Sequence, residues 1–181
     1  MSIVQGTDFV FIAQRPSANC LLLRILGYSQ KLQSLRINDS IPLRAQGSKL
    51  AYSPTGSSFA VSCADGTVVT VGASYSDGLI TRLHDEFVFC CAFSPDGTLL
   101  ATASADSTVK VVYAATMSEA RTLLGHTAYV CGVTFTADGT RIIRCGWDKT
   151  ARVWDVASGT LLHTLSLPGQ GFSVALSASG T

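Results

Sequence analysis

A four-residue turn returns at a fixed distance along this chain. Ser53-Pro54-Thr55-Gly56, Ser94-Pro95-Asp96-Gly97, Thr136-Ala137-Asp138-Gly139 and Ser177-Ala178-Ser179-Gly180 place their glycines 41, 42 and 41 residues apart. A second register agrees, because Asp65, Asp106 and Asp148 step by 41 and 42. A period of roughly 40–45 residues is the length of one small antiparallel sheet, and such sheets bury their faces only against neighbouring copies.

The clearest unit shows why each repeat is a sheet. Phe87–Phe93 is apolar and ends at the turn 94–97. Leu99–Ser104 follows, then the tight turn Ala105-Asp106-Ser107, the run Thr108–Tyr113, and a fourth run near Arg121–Leu124. Proline sets φ at the second turn position and glycine tolerates the positive φ that closes the corner. The next unit keeps the order: Val130–Phe135, Arg141–Cys145, Thr150–Val156 and Leu161–Leu165. The preceding unit is weaker: Lys49–Tyr52, Ser58–Cys63, Thr67–Ala73 and Leu79–Leu83. A further unit opens at Phe172–Leu176 and stops at its first turn. Runs apolar on both faces, such as Val109-Lys110-Val111-Val112, suit a sheet held between two others. The fold class is therefore all-β, a β-propeller with three to four blades in this chain and an incomplete ring.

Composition narrows the function classes. Charged residues make up 14% of the chain and the net charge is +1, so no global field recruits nucleic acid or a membrane. Residues 1–50 hold six Lys/Arg against two Asp/Glu; a solvated face is favoured there over a basic patch. Six cysteines at 20, 63, 90, 91, 131 and 145 form no CxxC pair and lie in apolar runs. They read as buried thiols in a reducing compartment, cytoplasmic or nuclear. Three histidines, none clustered with cysteine, argue against a metal. No leader pattern opens the chain, and Leu21-Leu22-Leu23, cut by Arg24, is too short to span a bilayer.

Residues 43–181 resemble the WD40 repeat family. Gly125-His126 is similar to that family's GH dipeptide and Trp154-Asp155 to its WD dipeptide. The resemblance implies repeats at 43–83, 84–124 and 125–166, the start of another at 167–181, and a divergent segment at 1–42. In that segment Phe9–Ala13, Cys20–Ile25 and Gln33–Ile37 are candidate strands of a degenerate blade. The family's buried network joins a His, an Asp, a Trp and a second-strand hydroxyl. The resemblance assigns His126, Asp148 and Trp154 to it, with Arg144-Cys145-Gly146 where the hydroxyl belongs. It also assigns His84 and Asp106, with Thr102 or Ser104 as hydroxyl and Val112 in place of Trp. In the repeat before, only Asp65 remains, with Leu43 and Val71 in the other places.

A His–Asp pair suggests acid–base chemistry, but an active site is built once and these pairs recur with the repeat. No phosphate loop, nucleophile elbow or His-Glu-x-x-His occurs. The expectation is a non-catalytic scaffold, with no cofactor and no metal, that binds other proteins or peptides through rim loops. The rim candidates are Asp85, Glu86, Phe87, Tyr129, Arg144 and Trp147, with Thr127 beside them. Trp147 stands out because its turn position is usually small or polar, and Trp, Tyr and Arg are enriched at interface hot spots. The alternatives are a propeller enzyme with a channel-mouth site, or an RNA/DNA-associated scaffold using Arg15, Arg24, Lys31, Arg36, Arg44 and Lys49. Stopping mid-repeat points to a piece of a longer protein, ahead of closure by residues 1–37 or of self-association through open blade edges.

Overall fold

The computed structural model describes residues 9–17, 20–29, 34–43, 45–56, 58–72 and 78–177, with side chains from Leu43 onward. Every element among them is a β-strand, in four antiparallel sheets. β1 (Phe9–Ser17), β2 (Cys20–Ser29) and β3 (Ser34–Leu43) form a three-stranded sheet in chain order. The other three sheets have four strands each, also in chain order. The first holds β4 (Gly47–Tyr52), β5 (Phe59–Cys63), β6 (Thr67–Val71) and β7 (Gly78–Arg82). The second holds β8 (Val88–Phe93), β9 (Leu99–Ser104), β10 (Val109–Tyr113) and β11 (Glu119–Leu123). The third holds β12 (Val130–Phe135), β13 (Arg141–Gly146), β14 (Thr150–Asp155) and β15 (Leu161–Ser166). These are three propeller blades.

The turns follow from their residues. Gly56, Gly97 and Gly139 take φ of +74, +73 and +71°, a region that costs an L side chain about 1–2 kcal/mol. At the second turn Asp65, Asp106 and Asp148 each accept from the backbone N–H and the hydroxyl of the threonine two residues on. The intervening residue is left-handed every time: Gly66, then Ser107 at φ 70° and Lys149 at φ 59°.

Side-chain alternation distributes the core. Phe59, Val61, Cys63, Val69 and Val71 fill one face of the first blade, while Ala60 and Val68 face the second blade and pack with Val88, Cys91, Leu100 and Val112. On β10 the opposite parity, Val109 and Val111, joins Ile142, Phe135 and Trp154 of the third blade. One apolar layer thus sits at each junction between blades, where the first strands β4, β8 and β12 meet one another and β8 and β12 also reach β5 and β9 of the blade before. Each of them carries a register shift, at Ser48, Phe89 and Cys131. A bulge of this kind turns a side chain out of the alternation.

Phe172–Leu176 differs from expectation. It is paired in no ladder among the described residues, although Gly171 donates its N–H to the Gly146 carbonyl at 2.9 Å. Gly132, lacking a side chain, admits the backbone of Ser173 and Val174, which a Cβ there would meet at about 3 Å. From Ala178 onward the turn predicted at 177–180 lies outside the described residues, as do Gln33 and Ala73 of two predicted strands.

Candidate functional site

His84 is fully buried and bonded at both ring nitrogens. Nδ1 meets Asp106 Oδ2 at 2.8 Å and Nε2 meets Thr102 Oγ1 at 2.8 Å. Burial pushes the imidazole below its ordinary value of 6.5, more than the neighbouring Asp106 raises it. A neutral ring donates from Nδ1 to the carboxylate, which leaves Nε2 to accept from the Thr102 hydroxyl. Burial pushes the Asp106 carboxyl up, but bonds from Thr108 and His84 outweigh it and hold the group below its usual range. Of the two hydroxyl candidates, Thr102 reaches the histidine. Ser104 instead caps the backbone, accepting from the Asp106 N–H at 3.2 Å.

His126 and Asp148 repeat the first half, Nδ1 to Oδ2 at 2.7 Å. The second half is missing: His126 Nε2 and Trp154 Nε1 are buried without a partner among the described residues. The cause is Arg144. The sequence places this residue on the rim, and the structure corrects that. Arg144 is 0% exposed, on the same strand face as Ile142, in the position that Thr102 holds one repeat earlier. Its Nη1 donates to the Leu123 carbonyl at 2.8 Å and its Nη2 to the Leu124 carbonyl at 3.2 Å. Its guanidinium carbon stacks 4.4 Å from the Trp154 ring centroid. Burial pushes the guanidinium down to about 9, so it stays charged at neutral pH.

The remaining rim candidates gather on one surface. Asp85 and Glu86 are exposed carboxylates at the entrance to β8. Phe87 follows, its ring centroid 4.6 Å from that of Phe89, the residue at the β8 bulge. Phe89 lies 6.0 Å from Tyr129, Tyr129 lies 4.9 Å from Trp147, and Trp147 meets Phe172 edge-on at 6.1 Å. These separations favour offset or tilted pairs. Five rings thus form a single file from the second blade, over the third, to the start of the next unit. Trp147 is 36% and Phe172 65% exposed. Phe89 and Phe172 were not singled out from the sequence. Phe89 gave no signal, because strand alternation alone does not reveal a bulge. Phe172 opens an apolar run, which reads as packing.

Little on this surface suits bond-making chemistry. The thiols of Cys63, Cys91 and Cys131 are pushed up by burial to about 11, 12 and 11, far from a reactive thiolate. An open pocket of about 310 Å³ lies between the first two blades, lined by Ser58, Thr70, Val71, Gly72, Leu79, Gly97, Ala114 and Ala115, with no ionisable side chain in it. Among the described residues no group of three His, Cys, Asp or Glu is arranged to hold a metal, and no helix is long and apolar enough to cross a membrane. Of the basic N-terminal residues, Lys31, Arg44 and the side chains of Arg15, Arg24 and Arg36 lie outside the described residues.

Comparison with known proteins agrees with this architecture. The family model "WD domain, G-beta repeat" matches residues 78–112 and 117–155. The chain is 37% identical over 87 residues to WD repeat-containing protein 1 of Xenopus tropicalis, covering 46% of this chain and 14% of that protein. It is 34% identical over 91 residues to COMPASS component SWD3 of Saccharomyces cerevisiae, covering 50% of this chain and 28% of that protein. The chain thus spans less than a third of either relative. The solved WD40 repeats of RRP9 superpose with a TM-score of 0.66 at 22% identity, covering 68% of this chain and 39% of that one, a likeness of fold. Two matched repeats and three four-stranded blades give one conclusion: residues 78–155 carry repeats of the WD40 family.

Proposed function

We propose that this chain is a non-catalytic scaffold that assembles other proteins through the rim of its blades, in a reducing compartment of the cytoplasm or nucleus. The observation that carries the reading is the file of rings from half-buried Phe87 and Phe89 to exposed Tyr129, Trp147 and Phe172, which crosses blade boundaries where a device internal to one blade would not. Both network histidines are closed off from solvent and held by aspartates, a structural duty that leaves neither free as an acid or base. The relative SWD3 is by its name a component of a complex, which favours the same role here. Free thiols at Cys63, Cys90, Cys91, Cys131 and Cys145 favour the reducing compartment.

The test is an affinity capture with mass spectrometry, comparing wild type with Trp147→Ala and Tyr129→Ala. The variants should lose specific partners while melting stays within about 1 kcal/mol of wild type, the usual tolerance of surface positions. Unfolding of both variants would make the rings structural and sink the reading.

A further inference from the structure

The three blades can be compared position by position, and the comparison separates what closes a blade from what is added to one. Ala64 donates its N–H to the Gln46 carbonyl at 2.8 Å, Ala105 to Phe87 at 2.9 Å and Trp147 to Tyr129 at 2.9 Å. The same backbone bond forms with Gln and Ala, with Phe and Ala, and with Tyr and Trp. The rings are therefore dispensable for closing the turn, yet they accumulate from the first blade to the third. At the bulge the series is Ser48, Phe89, Cys131, and only the ring extends the file.

The file is polar in charge as well as direction. At the Phe87 end stand Asp85, whose side chain is 99% exposed, and the exposed Glu86. The one cation paired with them among the described residues, Arg82, approaches Asp85 Oδ1 only to 3.9 Å and is itself largely exposed. At the Trp147 end the nearby charge is the exposed Lys149, two residues on. Asp148 is already engaged by His126 and Arg152. Ring faces attract cations, and a carboxylate beside them adds to that attraction. The path through the five centroids is about 22 Å long. An extended polyproline II segment advances about 3.1 Å per residue, so about seven residues match it.

We propose that this file is the seat of one extended peptide segment of about seven residues. A lysine or arginine of that segment lies over Phe87 and Phe89 against Asp85 and Glu86. Proline or aliphatic residues lie along Tyr129, Trp147 and Phe172. The assignment rests on the rim reading above and adds the partner's chemistry and direction.

The experiment selects from a phage-displayed library of random dodecapeptides on the full chain. Enriched sequences are then measured as fluorescent peptides by anisotropy. The expected result is a consensus with one basic residue followed by proline or aliphatic positions. Asp85→Lys with Glu86→Lys should weaken the selected peptide at least about tenfold and shift a repeat selection toward acidic peptides. Trp147→Ala should weaken it by a similar factor with circular dichroism unchanged. A consensus without a basic residue, or an affinity within twofold after charge reversal, overturns the cation assignment while loss on Trp147→Ala leaves the rim reading standing. Affinity within twofold in both Trp147→Ala and Tyr129→Ala overturns the two together. Absence of any enriched sequence overturns the peptide assignment.

Discussion

Thr102→Val is the sharpest perturbation of the buried network, because it changes one hydroxyl to one methyl with the shape kept. Thr102 is fully buried, and its hydroxyl is the donor to His84 Nε2 at 2.8 Å. Valine leaves that nitrogen without a partner inside the blade junction, at a cost of about 1–3 kcal/mol. The added apolar group returns up to about 0.8 kcal/mol. The second contact of the hydroxyl, to the Lys110 carbonyl, is long at 3.3 Å and adds little. The net expectation is a loss of about 1–2 kcal/mol, which for a chain of this length lowers Tm by about 2–8 °C.

The first blade supplies the control. Leu43 and Val61 stand there in the places of His84 and Thr102, and both are buried in an apolar cluster. His84→Leu with Thr102→Val copies that pair, and replacing both partners by apolar groups is close to neutral. Urea unfolding of the two single variants and the double variant gives the coupling. The double variant should be more stable than the sum of the single losses by at least about 1 kcal/mol, the size of the interaction that both singles break. A neutral Thr102→Val, or a double variant no better than the sum, would refute the claim that this hydroxyl satisfies the histidine.

Other predictions rest on independent features. Arg144→Ala should cost about 2–4 kcal/mol in urea unfolding, because it opens a void and strips the buried Leu123 carbonyl of its donor, whereas a rim residue would cost under about 1 kcal/mol. Lys149→Gly and Ser107→Gly should each stabilise by about 0.5–1 kcal/mol in the same measurement, since relief of a left-handed φ exceeds the entropy of the added glycine. Stability should fall on acidification. His84 and His126 are held neutral, so the unfolded chain takes up their protons first, from about pH 6.5 downward. Asp106 and Asp148, held below the usual carboxylate range, lose their contribution lower still. A urea midpoint that rises as the pH falls from about 7 to 5 would contradict the histidine sign, and one that rises on further acidification below about pH 4 would contradict the aspartate sign.

The blades were legible because each turn depends on residue types that few others can replace. Glycine is needed where φ is positive, and an aspartate two residues before a threonine caps the second turn, so the period survives substitution elsewhere. Arg144 shows where that legibility stops. By offset alone it sits near Trp147 and reads as rim, yet parity counted forward from Ile142 places it on the face buried against the second blade. The parity signal was present in the sequence, and a charged residue overrode it, because guanidinium burial is affordable only with partners that a sequence does not display. Here those partners are the backbone carbonyls of Leu123 and Leu124 and the face of Trp154. Phe89 fails in the opposite sense. Parity misleads at a bulge, and nothing in Val88-Phe89-Cys90 announces the register shift that sets its ring between Phe87 and Tyr129. Period therefore locates the turns and alternation the junctions. The ring file exists where both rules are broken at once, by a tryptophan in place of alanine at a turn and a phenylalanine at a bulge. Those departures are what a selection for binding, rather than for closing a blade, would leave behind.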